Sequence, residues 1–143
     1  MSKGIFNSDI TVEKLNKELN NNMISHLDIE YTEIGHDYLS GKMPVTYKTK
    51  QPMGLLHGGA SVVLAESLGS VASNLCIDPE KQYCVGLEVN ANHIRSEKDG
   101  FVFGKAVAIH IGRKTHIWQI TITNSEEKIV CVSRLTVAVI DKK

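Results

Sequence analysis

The amino-acid sequence predicts an α+β fold in which one long helix lies across a curved antiparallel sheet of about six strands. One central segment carries apolar residues at helical spacing, whereas the segments around it are rich in β-branched residues. Turn signals separate those segments at short intervals, and short connections favour antiparallel neighbours. Because there is one substantial helix for several strands, packing that helix on the concave face of the sheet is the simplest way to bury both.

Length, charge and cysteine content limit the class of protein. The chain has 143 residues, which fits a single domain over residues 1–143, and its 16 basic residues balance 16 acidic ones. This balance gives no reason to expect nucleic acid or an anionic membrane as a partner. Cys76, Cys84 and Cys131 form no disulfide or zinc pattern, so we expect free thiols. Since the sequence also lacks a signal-peptide or membrane-helix stretch, we expect a cytoplasmic protein.

The N-terminal third predicts several short elements before the long helix. In order, these are a helix, two strands and a loop: Thr11–Asn21, Ile24–Gly35, Tyr38–Val45 and Thr46–Leu56. Thr11 is a suitable N-cap for the helix. The triplet Gly35-His36-Asp37 favours a turn between the strands.

The long helix begins around His57-Gly58-Gly59 and runs to Cys76. Its apolar residues follow the i, i+3, i+4 spacing of a core-facing stripe: Ala60, Val63, Leu64, Leu68, Val71, Ala72 and Leu75. At roughly 100° per residue, Glu66 points about 150° away from this stripe. Its neighbours on that face are mostly small: Gly59, Val62, Gly69, Ser70 and Ser73. Small side chains would let a ligand or a second chain approach a carboxylate that is either solvated or functional.

The C-terminal half predicts four consecutive strands after a loop over Ile77–Gln82. They are Tyr83–Arg95, Phe101–His110, Thr115–Asn124 and Ile129–Ile140. Apolar residues alternate in two of these strands: Phe101, Phe103, Val107 and Ile109 in one, and Ile129, Cys131, Leu135, Val137 and Val139 in the other, with Lys105 and Ser133 as exceptions.

Several of these segments resemble a known family. The similarity lies in Leu56-His57-Gly58-Gly59-Ala60-Ser61 followed by Ala65-Glu66-Ser67, in Gln51, in Val85–Arg95 and in His110-Ile-Gly-Arg113. The sequence resembles the hotdog-fold acyl-CoA thioesterases, and more narrowly the bacterial branch with 1,4-dihydroxy-2-naphthoyl-CoA hydrolases of menaquinone synthesis and enterobactin proofreading thioesterases. The resemblance extends from about Thr11 to the last strand. It implies a hotdog fold, an acyl-CoA substrate with an aromatic or similarly bulky acyl group, and no metal or other cofactor.

The resemblance also implies a role for each matching residue. Glu66 corresponds to the catalytic carboxylate, and Gly58 to the backbone N–H that polarises the thioester carbonyl. Gln51 and His57 match polar groups around the thioester and the attacking water, while Ser70 matches a position that lines the acyl pocket. The positions that hold the pantetheine and nucleotide of coenzyme A are matched by Gly86, His93, Arg95, His110, Gly112, Arg113 and Lys114.

The spacing of Gly58 and Glu66 predicts how such a site is built. A helix N-terminus supplies free N–H groups for an oxyanion, and Glu66 can act either as a general base or as a nucleophile that forms an anhydride. Eight residues of helix span about 12 Å, whereas a base acts within about 3 Å of its target. Two antiparallel helices across a two-fold axis would satisfy both distances. We therefore expect a homodimer, or a dimer of dimers, with composite active sites.

The sequence leaves other readings open. His57 could simply cap the helix, His93 could be a core histidine continuing the alternation of its strand, and the turn from His110 to Lys114 could be an ordinary charged hairpin. At the level of function, a hotdog dimer that binds acyl-CoA without hydrolysis and a histidine-dependent hydratase or dehydratase are alternatives. Acyl carrier protein thioesters are alternative substrates, and the acyl group stays open.

Overall fold

The computed structural model describes residues 4–7 and 9–143 and confirms the predicted class, an antiparallel six-stranded sheet around one long helix. The elements are α1 (Val12–Lys17), α2 (Met23–His26), β1 (Glu30–Ile34), β2 (Tyr38–Pro44), α3 (Gly58–Asn74), β3 (Gln82–His93), β4 (Phe101–Ile111), β5 (Thr115–Thr123) and β6 (Ile129–Asp141). The strand order is β1-β2-β4-β5-β6-β3, which places β1 and β3 at the sheet edges. The first three residues, which belong to the N-terminal segment where a signal peptide would lie, are outside the described residues.

The segment before β1 differs from the prediction. Thr11 caps α1 as expected, since its hydroxyl accepts the Lys14 N–H at 3.2 Å. The predicted strand over Ile24–Gly35 is wrong in its first half, because α2 occupies that region. Asn22 and Ser25 form a reciprocal capping box there, which satisfies the backbone N–H groups that a strand would have left to a neighbouring strand.

Helix α3 is buried against the concave face of the sheet. Its buried residues are Ala60, Ser61, Leu64, Ala65, Leu68, Gly69, Ala72 and Ser73. The close approach depends on Gly104 of β4, because a Cβ there would lie 2.6 Å from Leu68 Cδ1. The small residue in β4 therefore lets large helix side chains reach the sheet backbone.

The buried face of α3 is rotated relative to the predicted stripe. Gly69 and Ser73, predicted on the open face, are buried, whereas Val63 and Val71 are only half-buried. A Cβ on Gly69 would lie 2.5 Å from the Cδ2 of Leu135. The small residues pack closest to the curved sheet, and so they cannot form the open surface that the sequence suggested.

Trp118 joins three parts of the fold. Its indole is fully buried, and its Nε1–H donates to the Ser73 hydroxyl of α3 at 2.7 Å. The Phe6 ring stacks on it with centroids 6.3 Å apart and an interplanar angle of 1°. The indole thus holds the helix, β5 and the N-terminal segment together.

In strand β3 a bulge between Gly86 and Glu88 shifts the alternation of side chains by one residue. Gly86 faces α3 before the bulge, and Val89 packs against the core after it. The extra residue, Leu87, is 61% exposed. The simple alternation from Leu87 to His93 expected from the sequence is therefore broken at its first member.

The apolar alternation of β4 lies on the outer face of the sheet. Phe101 and Phe103 are 42% and 39% exposed, whereas Val102 and Ala106 point toward α3 and are fully buried. The cause is again the proximity of α3, which leaves room only for small side chains on the inner face of this strand.

Candidate active site

The N-terminus of α3 leaves one backbone donor free. His57 is the N-cap, and its Nδ1 accepts the Gly59 N–H at 2.8 Å. Its carbonyl accepts the N–H groups of Ala60 and Ser61. Within the described part of the chain, the Gly58 N–H donates to no acceptor. His57 therefore does cap the helix, and Gly58 alone offers an N–H where the helix dipole is positive.

A cavity of about 310 Å³ opens beside this N-terminus. Its lining consists of Gln51, Leu55, Leu56, Gly58, Ser61, His93, Ile94, Arg95, Ser96 and Val130. The His93 ring lies against the start of α3, since a Cβ on Gly58 would be 2.7 Å from its Nε2. His93 is exposed and is not a core histidine. Four of the predicted site residues thus come together here: Gln51, Gly58, His93 and Arg95.

A tight turn fixes Gln51 at the edge of this cavity. The Gln51 N–H donates to the Leu55 carbonyl, and the Gln51 carbonyl accepts the Gly54 N–H at 2.9 Å. Gly54 has a φ of 78°, a conformation that favours glycine. The side-chain oxygen of Gln51 accepts the Met53 N–H, so its amide group is held by the turn and its NH₂ is the remaining donor.

Glu66 belongs to a different cavity, of about 290 Å³. That cavity is lined by Met23, Ile24, Val63, Glu66, Ser67, Ser70 and Val71. The Glu66 carboxylate lies against β3, because a Cβ on Gly86 would be 2.6 Å from its Oε1. Glu66, Ser70 and Gly86 are therefore grouped together, apart from Gly58 and His93.

The predicted nucleotide-binding residues occupy the connection between β4 and β5. The His110 imidazole packs on this turn, where a Cβ on Gly112 would lie 2.5 Å from its Nε2. Lys114 Nζ pairs with Asp141 Oδ2 at 3.1 Å. A hydrogen bond from Gln82 and the pairing with Lys114 lower the pKa of Asp141. Lys114 is thus engaged at the end of β6, while the side chain of Arg113 is exposed.

The hairpin and the Gly58 cavity lie at opposite ends of β3. Thr115 pairs with Ala138, and Ala138 pairs with Val85 near the start of β3. His93 closes β3 at its other end, next to α3. One chain therefore does not bring all the predicted coenzyme A residues to one place.

Two parts of the cavity walls were missed by sequence reasoning. Ile24 was the first residue of a predicted strand and Met23 lay just before it, although Asn22 and Ser25 carried the signal of a capped helix. Ser61 was placed only within the family motif, yet it lines the Gly58 cavity beside Val130. No sequence pattern relates Val130 to α3, because their places on the same cavity wall depend on the tertiary fold.

The described residues contain neither a metal-binding cluster nor a membrane-spanning helix. In residues 4–7 and 9–143, no three His, Cys, Asp or Glu side chains are grouped so as to hold a metal ion. No helix of this described portion has the length and apolar character needed to cross a bilayer.

Comparisons with known proteins agree on one family. The family model described as the thioesterase superfamily matches residues 53–131. The 1,4-dihydroxy-2-naphthoyl-CoA hydrolase of Escherichia coli is 51% identical over 136 residues, which cover 95% of this chain and 99% of that protein. The proofreading thioesterase EntH of Cronobacter turicensis is 43% identical over 135 residues, covering 94% and 98% of the two chains. The crystal structure of a mutant thioesterase from Pseudomonas aeruginosa matches with a TM-score of 0.95 and 47% identity, covering 97% of this chain and all of that one. The chain therefore belongs to the thioesterase superfamily, has the hotdog fold and is a thioester hydrolase.

Proposed function

We propose that this protein hydrolyses the coenzyme A thioester of an aromatic or similarly bulky acyl group. The free Gly58 N–H at the start of the 17-residue helix α3 carries the proposal, because it can bind the carbonyl oxygen of a thioester. The Escherichia coli relative is named for 1,4-dihydroxy-2-naphthoyl-CoA, which supports an aryl-CoA substrate and a place in menaquinone synthesis. The relative named as a proofreading thioesterase keeps a carrier-protein thioester as the alternative.

In the proposed reaction, Glu66 activates the nucleophile. Its carboxylate takes a proton from water as the oxygen attacks the thioester carbon, and the Gly58 N–H stabilises the resulting oxyanion. Collapse of this intermediate breaks the C–S bond, and the departing thiolate takes up a proton. Direct attack by Glu66, with hydrolysis of the anhydride, balances equally well. Gln51 can orient the carbonyl through its NH₂ group, and His57 contributes by holding the helix N-terminus.

We propose that the active site is completed by a second copy of the chain paired along β3. This edge strand is 12 residues long, and Tyr83, Val85 and Leu87 on it are 44%, 44% and 61% exposed. An edge of this length with exposed apolar side chains is suited to pairing with another strand. Its occupation by a second β3 would extend the sheet across a two-fold axis.

The positions along β3 indicate the register of that pairing. In β3, Gly86 lies against the Glu66 carboxylate and His93 lies against Gly58. These two strand residues therefore show where Glu66 and Gly58 are located along β3. For Glu66 to reach Gly58 of the partner subunit, Gly86 must lie near His93 of the partner subunit. The two-fold axis would then pass close to Val89 and Asn90. This register would also bring Arg95 of the partner subunit toward the β4–β5 hairpin, which sits two strands from the start of β3.

Two further parts of the proposal are a dimer of dimers and a cytoplasmic location. Two such dimers could associate through the outer face of β4, where Phe101 and Phe103 are exposed. Cys76, Cys84 and Cys131 are free thiols, which suits the reducing cytoplasm that we propose for this protein.

The reaction is tested by Glu66→Gln, which keeps the size of the side chain and removes its basicity. We expect loss of turnover of aryl-CoA substrates in a thiol-release assay, with an unchanged circular dichroism spectrum. Retention of the wild-type rate by the purified variant would refute the role of Glu66. Tight acyl-CoA binding by a wild-type protein that releases no thiol would instead favour a binding module.

The composite site is tested by mixing Glu66→Gln with Gly58→Pro, which lacks the N–H. Each mixed dimer would hold one intact site formed by Glu66 of one subunit and Gly58 of the other. Random exchange should therefore restore about a quarter of the wild-type activity. Mixtures of two Glu66→Gln preparations provide the control, and failure of the mixed variants to regain activity would contradict the composite site.

A further inference from the structure

The cavity beside Glu66 adjoins a second and larger one. The second is a shallow, solvent-open depression of about 690 Å³, and it is lined by Asn21, Asn22, Met23, Ser25, His26 and Lys48. Among the residues that the structure describes, Met23 alone lines both cavities. Its side chain is 61% exposed and belongs to an unbranched residue with three rotatable bonds, so it can change rotamer without disturbing the core.

The two cavities differ in chemistry. Beside Glu66, the lining is mostly aliphatic, with Val63, Val71 and Ile24 on its walls. Beyond Met23, amide, hydroxyl, imidazole and ammonium groups replace these apolar side chains. An acyl group that enters at Glu66 and extends past Met23 would therefore meet apolar walls first and hydrogen-bonding groups afterwards.

The size of the Glu66 cavity favours such an extension. Small-molecule sites commonly measure about 300–1,000 Å³, and the 290 Å³ beside Glu66 lies just below that range. A compact acyl group would fill it, and a larger one would need the space beyond Met23. Met23 is therefore placed to set the upper size of the acyl group.

The charges beyond Met23 indicate which polar group fits. Lys48 Nζ donates to Asp28 Oδ2 at 2.9 Å, and the Lys48 side chain is only 25% exposed. Because an ammonium group has three N–H donors, two remain for another acceptor. The Asp28 carboxylate offsets the positive charge, so a neutral hydroxyl suits this pair better than a second carboxylate. His26, at the end of α2, offers a further polar contact.

The cavity wall is held in place by short-range contacts. The capping box of Asn22 and Ser25 fixes α2, and the Ile29 N–H donates to the Ile24 carbonyl at 3.0 Å immediately after it. The ion pair of Lys48 with Asp28 ties the loop after β2 to the second residue beyond α2. Met23 therefore projects from a fixed element, although its own side chain is free to move.

We propose that Met23 separates the acyl pocket beside Glu66 from a polar extension, and that among long acyl groups that pass Met23 those with a terminal hydroxyl, which reaches Lys48, are preferred. This inference rests on the proposed hydrolysis of acyl-CoA. It assigns a size filter to Met23 and a recognition role to Lys48, and neither residue takes part in the chemical step.

The experiment compares benzoyl-, decanoyl- and 10-hydroxydecanoyl-CoA with the full-length wild type, Met23→Ala and Lys48→Met. In Met23→Ala we expect kcat/KM for both ten-carbon substrates to rise by about tenfold, the effect of relieving a poor fit in an apolar pocket. The value for benzoyl-CoA should change less than about threefold. In Lys48→Met the preference for the hydroxyl-ended over the methyl-ended substrate should disappear. Ile129→Ala, which shortens an exposed apolar side chain outside both cavities, is the matched control.

The outcomes separate this inference from the proposed function. An unchanged kcat/KM for the long substrates in Met23→Ala, or an unchanged hydroxyl preference in Lys48→Met, would overturn the inference. The proposed function would still stand if the wild type hydrolysed benzoyl-CoA. A wild type that cleaves none of the three substrates would overturn both.

Discussion

Replacing Gly58 by proline would isolate the backbone donor that the proposed mechanism requires. Proline is well tolerated at the first position of a helix, where its missing N–H has no partner within the helix. Gly58 holds that position, and His57 before it has φ −70° and ψ 130°, which a following proline permits. The change should therefore remove the donor without disturbing α3.

Gly58→Ala is the matched control for this change. Both substitutions introduce a Cβ near His93, whose Nε2 would be 2.7 Å away, so both displace that ring. Only proline also removes the N–H. Loss of one oxyanion donor typically costs about 10²–10³-fold in kcat, or about 2.7–4 kcal/mol. We expect this factor between the alanine and proline variants rather than between wild type and either one.

The assay is steady-state thiol release from an aryl-CoA, with chemical denaturation as the measure of folding. Because the N–H acts on the oxyanion, kcat and kcat/KM should fall together. The free energies of unfolding of the two variants should agree within about 1 kcal/mol. Equal kcat values for the proline and alanine variants would refute the role of the Gly58 N–H.

Two further predictions test the position of Glu66 and the packing of α3. In Gly86→Ala the new Cβ would lie 2.6 Å from Glu66 Oε1, and a displacement of about 1 Å should lower kcat about 10²-fold with the urea midpoint unchanged. Combining it with Glu66→Gln should cause no additional loss, and additive losses would contradict the contact. In Ser73→Ala the buried Trp118 N–H loses its partner, which should cost about 1–3 kcal/mol of unfolding free energy. The exposed Ser125→Ala serves as control in urea denaturation followed by far-ultraviolet circular dichroism, and equal stability of the two serine variants would count against the bond.

The strands and the long helix could be predicted because their signals are local. Turn residues and β-branched runs predicted the ends of β4, β5 and β6 to within one residue. The rotation of α3 about its own axis could not be predicted from local signals. Gly69 and Ser73 are polar or small by sequence, yet the sheet curves around them and buries both. Hydrophobicity alone cannot show which face of such a helix makes the closest approach.

The candidate site was predictable in its parts and less so in its arrangement. The motif around His57 and Glu66 identified both groups, and the helical rise already separated them. The structure adds that Gly86 faces Glu66 and His93 faces Gly58, contacts that depend on the bulge in β3 and on strand order. Met23 could not be placed beside Glu66 from the sequence, because α2 reaches α3 only through the tertiary fold.

Trp118 gives this protein a built-in optical probe. It is the single tryptophan of the chain, so all indole emission comes from one position. Full burial implies blue emission, and stacking on Phe6 together with the bond to Ser73 makes the signal sensitive to two separate contacts. Detachment of the N-terminal segment and separation of α3 from the sheet would therefore each alter the spectrum, which allows partial opening to be followed without any label.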